Sequence, residues 1–442
     1  MRNRFTLLTS VALLASGQAL AVHAEEPHGF VEDSTLNLLS RNFFLHNDYR
    51  TGHEQKNYKQ EWAQGFIANL KSGFTQGEIG VGIDAHGFYG LKLDSGRGRS
   101  GTGLLPLDSQ GRAEDDYSSA GAALKLKYSQ TTLKFGEMEV ETPVFDTADK
   151  RLQPEYATGF FLDSQEIQGV RLVAGHFTAF KNQDASTTHG DFAGYGASTR
   201  DASISLAGIE LSGDGPLGGS LYASQLSDTW RQYYANLHFN RQLSADSSVL
   251  LDSNLYRTLD TGNADADAGS INNTAYSLSA KYRLGSQALT LGYQKIDGDT
   301  PFDFVGGDSI YLANSIKYAD FNGAHEQSYQ VRYDLNFATL GVPGLKFMTR
   351  YVTGRQIDGT KAQQSGAYNP FDTDIDRYVP IQGKGGRHWE RDIDLKYVVQ
   401  SGPAKDLSLD ISHVSHRGNT AQAGDDIDRL YLVVEYPLDL LK

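Results

Sequence analysis

The chain has 442 residues, no cysteine and a formal net charge of −14. The missing thiols exclude a disulfide scaffold and any Cys-ligated zinc or iron–sulfur site, and the acidic balance argues against a nucleic-acid partner. Glycine is abundant at 47 residues and tyrosine outnumbers tryptophan 24 to 3, a composition that suits a barrel with aromatic girdles and turn-rich connections.

Residues 1–24 read as a secretory signal peptide. Arg2 and Arg4 supply a basic start, residues 7–15 are mostly apolar, and Val22-His23-Ala24 precedes a cut before Glu25. No later segment approaches the roughly 18 to 20 consecutive apolar residues of a membrane helix. The low mean hydropathy does not exclude a membrane location, because half of each barrel strand faces water. Residues 25–442 contain no linker or composition break and read as one domain.

The first strong signal is residues 78–93. Ile79, Val81, Ile83, Ala85, Tyr89, Leu91 and Leu93 share one face, while Glu78, Gly80, Gly82, Asp84, His86 and Lys92 share the other. That is a strand long enough to cross a bilayer, apolar outside and polar inside. Downstream, Leu124, Leu126 and Tyr128 oppose Lys125 and Lys127, and Leu133 and Phe135 oppose Lys134. Tyr233 and Leu237 oppose Tyr234, Asn236 and His238; Leu278 and Tyr282 oppose Ser277, Ser279, Lys281 and Arg283. Tyr329 and Val331 oppose Ser328, Gln330, Arg332 and Asp334. Phe347 and Tyr351 oppose Lys346 and Arg350, then Ile393 and Leu395 oppose Asp392, Asp394 and Lys396. The last strand sets Leu430, Leu432, Val434 and Tyr436 against Tyr431, Val433 and Glu435.

Short turns, such as Leu284-Gly285-Ser286-Gln287, alternate with long connections rich in Gly, Asp and Ser at 94–119, 260–273 and 354–387. Acid clusters fall in such loops: 114–116, Asp265 with Asp267, 372–376 and 425–428. A soluble sandwich would also alternate, but about 16 to 18 amphipathic strands are too many for one. The pattern predicts an all-β, transmembrane antiparallel barrel of about 18 strands with a polar lumen.

The inward positions are then the functional ones. Lys125, Lys127, Lys134, Lys281, Arg283, Arg332, Lys346, Arg350 and Lys396 all fall on polar faces. A cationic wall attracts anions, and guanidinium groups grip carboxylates bidentately. The plainer reading is that these cations pair with inward acids such as Asp84, Asp334 and Asp394. Two segments are expected to fold inward as constriction loops: 137–160, with Pro143, Lys150, Arg151 and Pro154, and 301–322, with Asp303, Phe304, Asp308, Ser315, Tyr318 and Asp320. Such loops select by charge and shape across a narrow gap.

Several stretches carry a family resemblance: Gly29-Phe30-Val31-Glu32-Asp33-Ser34, Ser72-Gly73-Phe74-Thr75-Gln76-Gly77, Thr158-Gly159-Phe160, Ala174-Gly175-His176-Phe177-Thr178, Arg231-Gln232-Tyr233-Tyr234, and residues 307–323 and 397–407. They resemble the OprD family of Gram-negative outer-membrane carboxylate channels, over nearly the whole chain after residue 25. The resemblance implies a barrel of about eighteen strands that passes small carboxylate-bearing solutes, such as amino acids or aromatic acids. It implies a wall ladder of Arg and Lys facing an electronegative pocket. Lys59, Arg151 and Lys396 match the ladder; Asp308, Ser315, Tyr318 and Asp320 match the pocket, with Phe304 where a close relative has tyrosine. Asn47, Asp410, Ser412 and Tyr431 stand where basic residues are expected in amino-acid-selective members. The ladder is therefore expected to be rebuilt from Arg332, Lys346, Arg350 or Arg417.

The expected function is passive, substrate-selective diffusion of small carboxylates across a Gram-negative outer membrane, aromatic or other monocyclic acids ahead of basic amino acids. The expected partners are lipid, lipopolysaccharide and the solutes, with the chain a monomer or loose trimer and without cofactor or metal. A general porin sorting by size is the alternative. A hydrolase built on Ser309, His176 and an acid has no support from chain order, and no Gly-x-Ser-x-Gly elbow is present.

Overall fold

A computed structural model describes residues 29–50, 57–192, 202–213, 215–261 and 268–441. The expected signal peptide with its cut before Glu25, the acidic pair Asp265 and Asp267, and Lys442 lie outside the described residues.

Eighteen strands form one antiparallel sheet in which sequence neighbours pair and the last strand returns to the first. Closure runs along Ile427–Leu441 and Thr35–Tyr49, from Leu36 opposite Leu441 to Tyr49 opposite Ile427. The sequence pattern dictates this shape, because period-2 alternation offers one apolar face per strand and a closed ladder leaves no edge unpaired. Ile79–Asp94, at 16 residues, is among the longest strands. Both ends of the described chain lie at one rim, together with turns as short as Gly285-Ser286. The connections at 95–115, 139–155, 298–326 and 359–383 leave from the other. Short turns mark the periplasmic rim and long loops the extracellular one.

The predicted faces are the observed faces. Leu237, Leu278 and Val331 are exposed on the outside, while Ser277, Gln294 and Ser328 are fully buried within. Outward tyrosines gather near the rims. Tyr276, Tyr293 and Tyr329 make a run with ring centroids 6.2 and 5.3 Å apart, as an amphipathic ring at the membrane–water interface should.

The interior departs from a uniformly polar lumen. Along Val170–Lys181, Ile204–Ser212, Leu217–Leu226, Trp230–Gln242 and Ser247–Asp260, inward Phe177, Ile204, Leu226, Trp230 and Tyr256 are buried. They pack on Val144, Phe145, Phe302, Phe304 and Ile310 of the inward loops. Loops entering the barrel need an apolar seat as well as hydrogen-bond partners, so these strands carry apolar residues on both faces. The first inward segment is shorter than predicted. Thr131–Met138 and Tyr156–Ile167 are strands, so residues 137–138 and 156–160 belong to the wall and 139–155 to the loop. A third connection, 95–115, also enters, burying Leu104 and Leu105 against Phe43, Leu45 and Phe88.

The two faces predict different tolerances. Leu278 and Ser279 are adjacent near the middle of Asn272–Leu284, one outward and one inward. Leu278→Arg is expected to cost about 2–4 kcal/mol of stability in urea unfolding from phospholipid vesicles, and Ser279→Arg clearly less. Equal costs would contradict the assignment of faces.

Candidate functional site

The 139–155 loop carries Lys150 and Arg151 into the barrel, and its anchors explain where they land. Tyr256 donates from its hydroxyl to the Pro143 carbonyl at 2.8 Å, and the Asp146 amide donates to Ser309 Oγ at 2.6 Å. From the first strand, Arg41 grips Asp149 bidentately at 2.6 and 2.9 Å and donates to the Arg151 carbonyl at 2.8 Å. Its Nε reaches Glu435 on the last strand at 2.8 Å. A buried guanidinium thus ties the loop to the barrel's closing seam. Arg151 is partly exposed and donates to the neighbouring Lys150 carbonyl at 2.9 Å. Among the described residues it forms no salt bridge.

The 298–326 loop is held by inward side chains of the wall. Ser277 Oγ accepts from the Ala313 amide at 3.0 Å, and Gln330 donates to the Ala313 carbonyl at 2.7 Å. Gln294 accepts from the Asn314 amide at 2.8 Å and donates to the Phe321 carbonyl at 2.9 Å. Glu390, buried on Lys384–Val398, accepts from the amides of Tyr318 and Ala319 at 3.0 and 2.8 Å. Polar lumen positions read from the alternation therefore hold loop backbone rather than solute. The loop sends Lys317 across to the wall. Its ammonium lies 2.9 Å from Asp394, donates to Ser412 Oγ, and sits 5.4 Å from the Tyr431 ring centroid.

The wall cations sort into paired and unpaired groups. Lys125 and Lys134 both bond Asp84 at 2.6 Å, and Arg332 pairs with Asp334 at 2.6 Å. Arg350 and Asp392 form a fully buried pair at 2.6 Å. Arg417 pairs with Asp428 at 2.8 Å. Of the four cations expected to rebuild the ladder, three are thus engaged, and Lys346 is exposed near the periplasmic rim. Lys346 faces Lys396 across the ladder, and Lys396 faces Asp410. Lys59 stands opposite Asn47.

Arg429 precedes the alternation that Leu430 opens in the sequence, and it belongs to the same strand. It lies two residues before Tyr431 on the inner face of the last strand, opposite Asn47. Its guanidinium carbon is 4.3 Å from the Tyr318 ring centroid, and Nη1 donates to the Tyr431 hydroxyl at 3.3 Å. Lys317, which carries no strand-alternation signal, adjoins Tyr318 inside the stretch that carries the family resemblance.

The acidic side of the constriction is made by the two loops together. Lys150 bonds Asp308 and donates to the Gly307 carbonyl at 2.8 Å. Ser315 donates to Asp320 at 2.6 Å, and Tyr311 donates to Asp146 at 2.6 Å. Burial, reinforced by Asp308, pushes the Asp146 carboxyl well above its ordinary range. Burial also raises Asp320, against the opposing pull of Ser315 and Lys150. Burial would lower the Lys150 ammonium, but Asp308 and Asp320 more than reverse it. Asp308 and Lys150 are the exposed members, so they present this side to the lumen. Asp303 and Phe304 lie elsewhere. Both are buried, Phe304 beside Phe302 with centroids 6.2 Å apart, and the Asp303 carbonyl accepts from Gln232 at 3.1 Å. They seat the loop against the wall.

Ser309 and His176 do not meet. Ser309 is buried in the loop turn, whereas His176 faces outward beside Ser205 at 2.8 Å and Phe160.

The arrangement matches known proteins along its length. The family model for "outer membrane porin, OprD family" covers residues 28–440. Porin D of Pseudomonas aeruginosa is 44% identical over 438 residues, spanning 97% of this chain and 96% of that protein. The solved structure of Pseudomonas aeruginosa OccK9 (OpdG) superposes with a TM-score of 0.84 at 35% identity, covering 93% of this chain and 100% of that one. The structure of Pseudomonas aeruginosa OpdK with vanillate gives 0.81 at 35% identity, again covering 93% and 100%. A closed barrel of eighteen strands, constricted by inward loops and matched over nearly its whole length, belongs to the OprD family of porins in the Gram-negative outer membrane.

Proposed function

We propose that this porin is a passive diffusion channel selective for small carboxylate-bearing solutes, with aromatic acids ahead of basic amino acids. The observation that carries the reading is Arg151. It is a partly exposed guanidinium on an inward loop, with one backbone carbonyl as its hydrogen-bond partner and no salt bridge among the described residues. A cation in this state meets an entering carboxylate without first breaking an ion pair, and its planar fork suits bidentate contact. Lys317 lies beyond it on the second loop, beside Tyr431. Lys150 and Asp308 pair with each other and keep exposure, so a solute's polar substituent finds both a donor and an acceptor there.

The preference for aromatic acids rests on Tyr318 beside Arg429 and Tyr431 beside Lys317. Phe304 lends it no support, since that ring is buried behind the loop. The structure of the relative OpdK with vanillate, an aromatic carboxylate, is in keeping with it.

One observation favours a second reading. Pairing removes Lys125, Lys134, Arg332 and Arg350 from the list of available cations. A lumen neutralised this thoroughly could sort solutes by size alone.

Uptake into proteoliposomes separates the two. Benzoate is expected to enter faster than benzamide, and arginine faster than its amide, with the wider ratio in the aromatic pair. Equal rates within each pair would establish the size-sorting channel. Arg151→Gln is expected to lower benzoate flux up to about tenfold, the scale of one charge-assisted hydrogen bond, while leaving benzamide flux nearly unchanged. Equal losses for both solutes would mean that Arg151 shapes the pore without recognising charge.

A further inference from the structure

The four wall positions Asn47, Asp410, Ser412 and Tyr431 carry no cation, and the sequence offered Arg332, Lys346, Arg350 or Arg417 to replace them. The geometry points to a different residue. We propose that Arg429 is the wall residue that docks the solute carboxylate in the constriction, with Tyr318 and Tyr431 holding its guanidinium ready. This rests on the carboxylate reading above and assigns it a second, independent contact.

Three observations carry the assignment. First, the period-2 alternation of Ile427–Leu441 puts Arg429 and Tyr431 on the same inward face. Tyr318, reaching in from the 298–326 loop, lies against the guanidinium at 4.3 Å. A cation over an aromatic face is held in plane without losing its hydrogen-bond donors. Tyr318 is itself fixed from behind, because Glu390 accepts from its amide at 3.0 Å. The platform's backbone is therefore anchored to the wall.

Second, the donors are underused. A guanidinium offers five N–H groups, yet the Tyr431 hydroxyl, at 3.3 Å, is the acceptor Arg429 meets among the described residues. Its Nε is buried with no protein acceptor. Directly across the ladder, Asn47 keeps its buried Oδ1 without a donor. Native structures rarely leave a buried donor and a buried acceptor unmatched, and a water or a bound ion commonly completes them.

Third, three carboxylates of this region are already engaged. Asp428 accepts from Arg50 at 2.7 Å and from Arg417 at 2.8 Å. Glu390 is occupied by the loop amides. Asp394 is taken by Lys317. Of the two cations that flank Tyr431, Lys317 therefore has an acid and Arg429 has none. Arg429 keeps its charge and its planar fork for a carboxylate that arrives from outside. Such a fork is matched by a planar monocarboxylate more closely than by a spherical anion of the same charge.

The test is single-channel recording in planar bilayers with benzoate or benzamide added, comparing the wild type with Arg429→Gln and Arg429→Lys. In the wild type, benzoate is expected to produce transient blockades that benzamide does not. In Arg429→Gln, benzoate residence is expected to shorten about tenfold, as loss of a charge-assisted contact predicts. Arg429→Lys keeps the charge without the fork and should fall between the two. It decides the matter alone if the glutamine variant fails to insert. Benzoate blockades of unchanged duration in either inserted variant would overturn the assignment, and would leave the carboxylate reading standing if wild-type uptake still favours acid over amide. Wild-type channels that discriminate acid from amide in neither blockade nor uptake would overturn both.

Discussion

The ladder between Thr35–Tyr49 and Ile427–Leu441 closes the sheet, and closure governs everything else in the molecule. Hydrocarbon offers no partner to a backbone N–H or C=O, so a strand that crosses it must be bonded on both sides. Each strand is then left with two faces of fixed direction, and the sequence alternates accordingly. Residues as close as Leu278 and Ser279 experience opposite solvents. The same closure places the first and last strands side by side, which lets Arg41 join the 139–155 loop to Glu435.

Bringing loops into the barrel sets a second demand, since their backbone groups need partners there too. Ser277, Gln294, Gln330 and Glu390 meet it from the wall. Phe177, Trp230 and Tyr256 provide the apolar bed on which Phe145, Phe302 and Phe304 rest. One side of the barrel is consequently solid. The lumen's chemistry is left to the loop tips and to the strands around the closing seam, where Arg151, Lys317, Arg429 and Asp308 retain exposure.

Electrostatics inside such a barrel is decided by pairing more than by counting. The buried Arg350–Asp392 pair is a matter of fold integrity, because removing either partner would strand the other charge. Arg332–Asp334 cancels in place. A long list of inward cations therefore reduces to a short one, in which Arg429 sits beside Tyr318 and Tyr431. A tyrosine fixes a guanidinium without neutralising it, which an acid cannot do. That distinction separates Arg429 from Arg350.

Nine of the eighteen strands with their faces, and the two main inward loops, were legible from the chain, as was the family. Alternation is a local property, visible within each stretch of about ten residues. The apolar inner faces of Val170–Lys181 and Ile204–Ser212 were harder to read, since a loop bed looks like a core strand. Asp308, Ser315, Tyr318 and Asp320 stood together through the family resemblance, which did not show that Lys150 of the other loop would bond Asp308. Asp303 and Phe304 could not be told from their neighbours, because burial behind a loop depends on how that loop packs. Sequence alone determined which residues point inward, because a β-strand turns its side chains over every residue. Only the tertiary structure decided which inward cations remain available, because strand register and loop packing settle which acid meets each one. Glu435 reaches Arg41 across 394 positions, and no acid reaches Arg429 among the described residues.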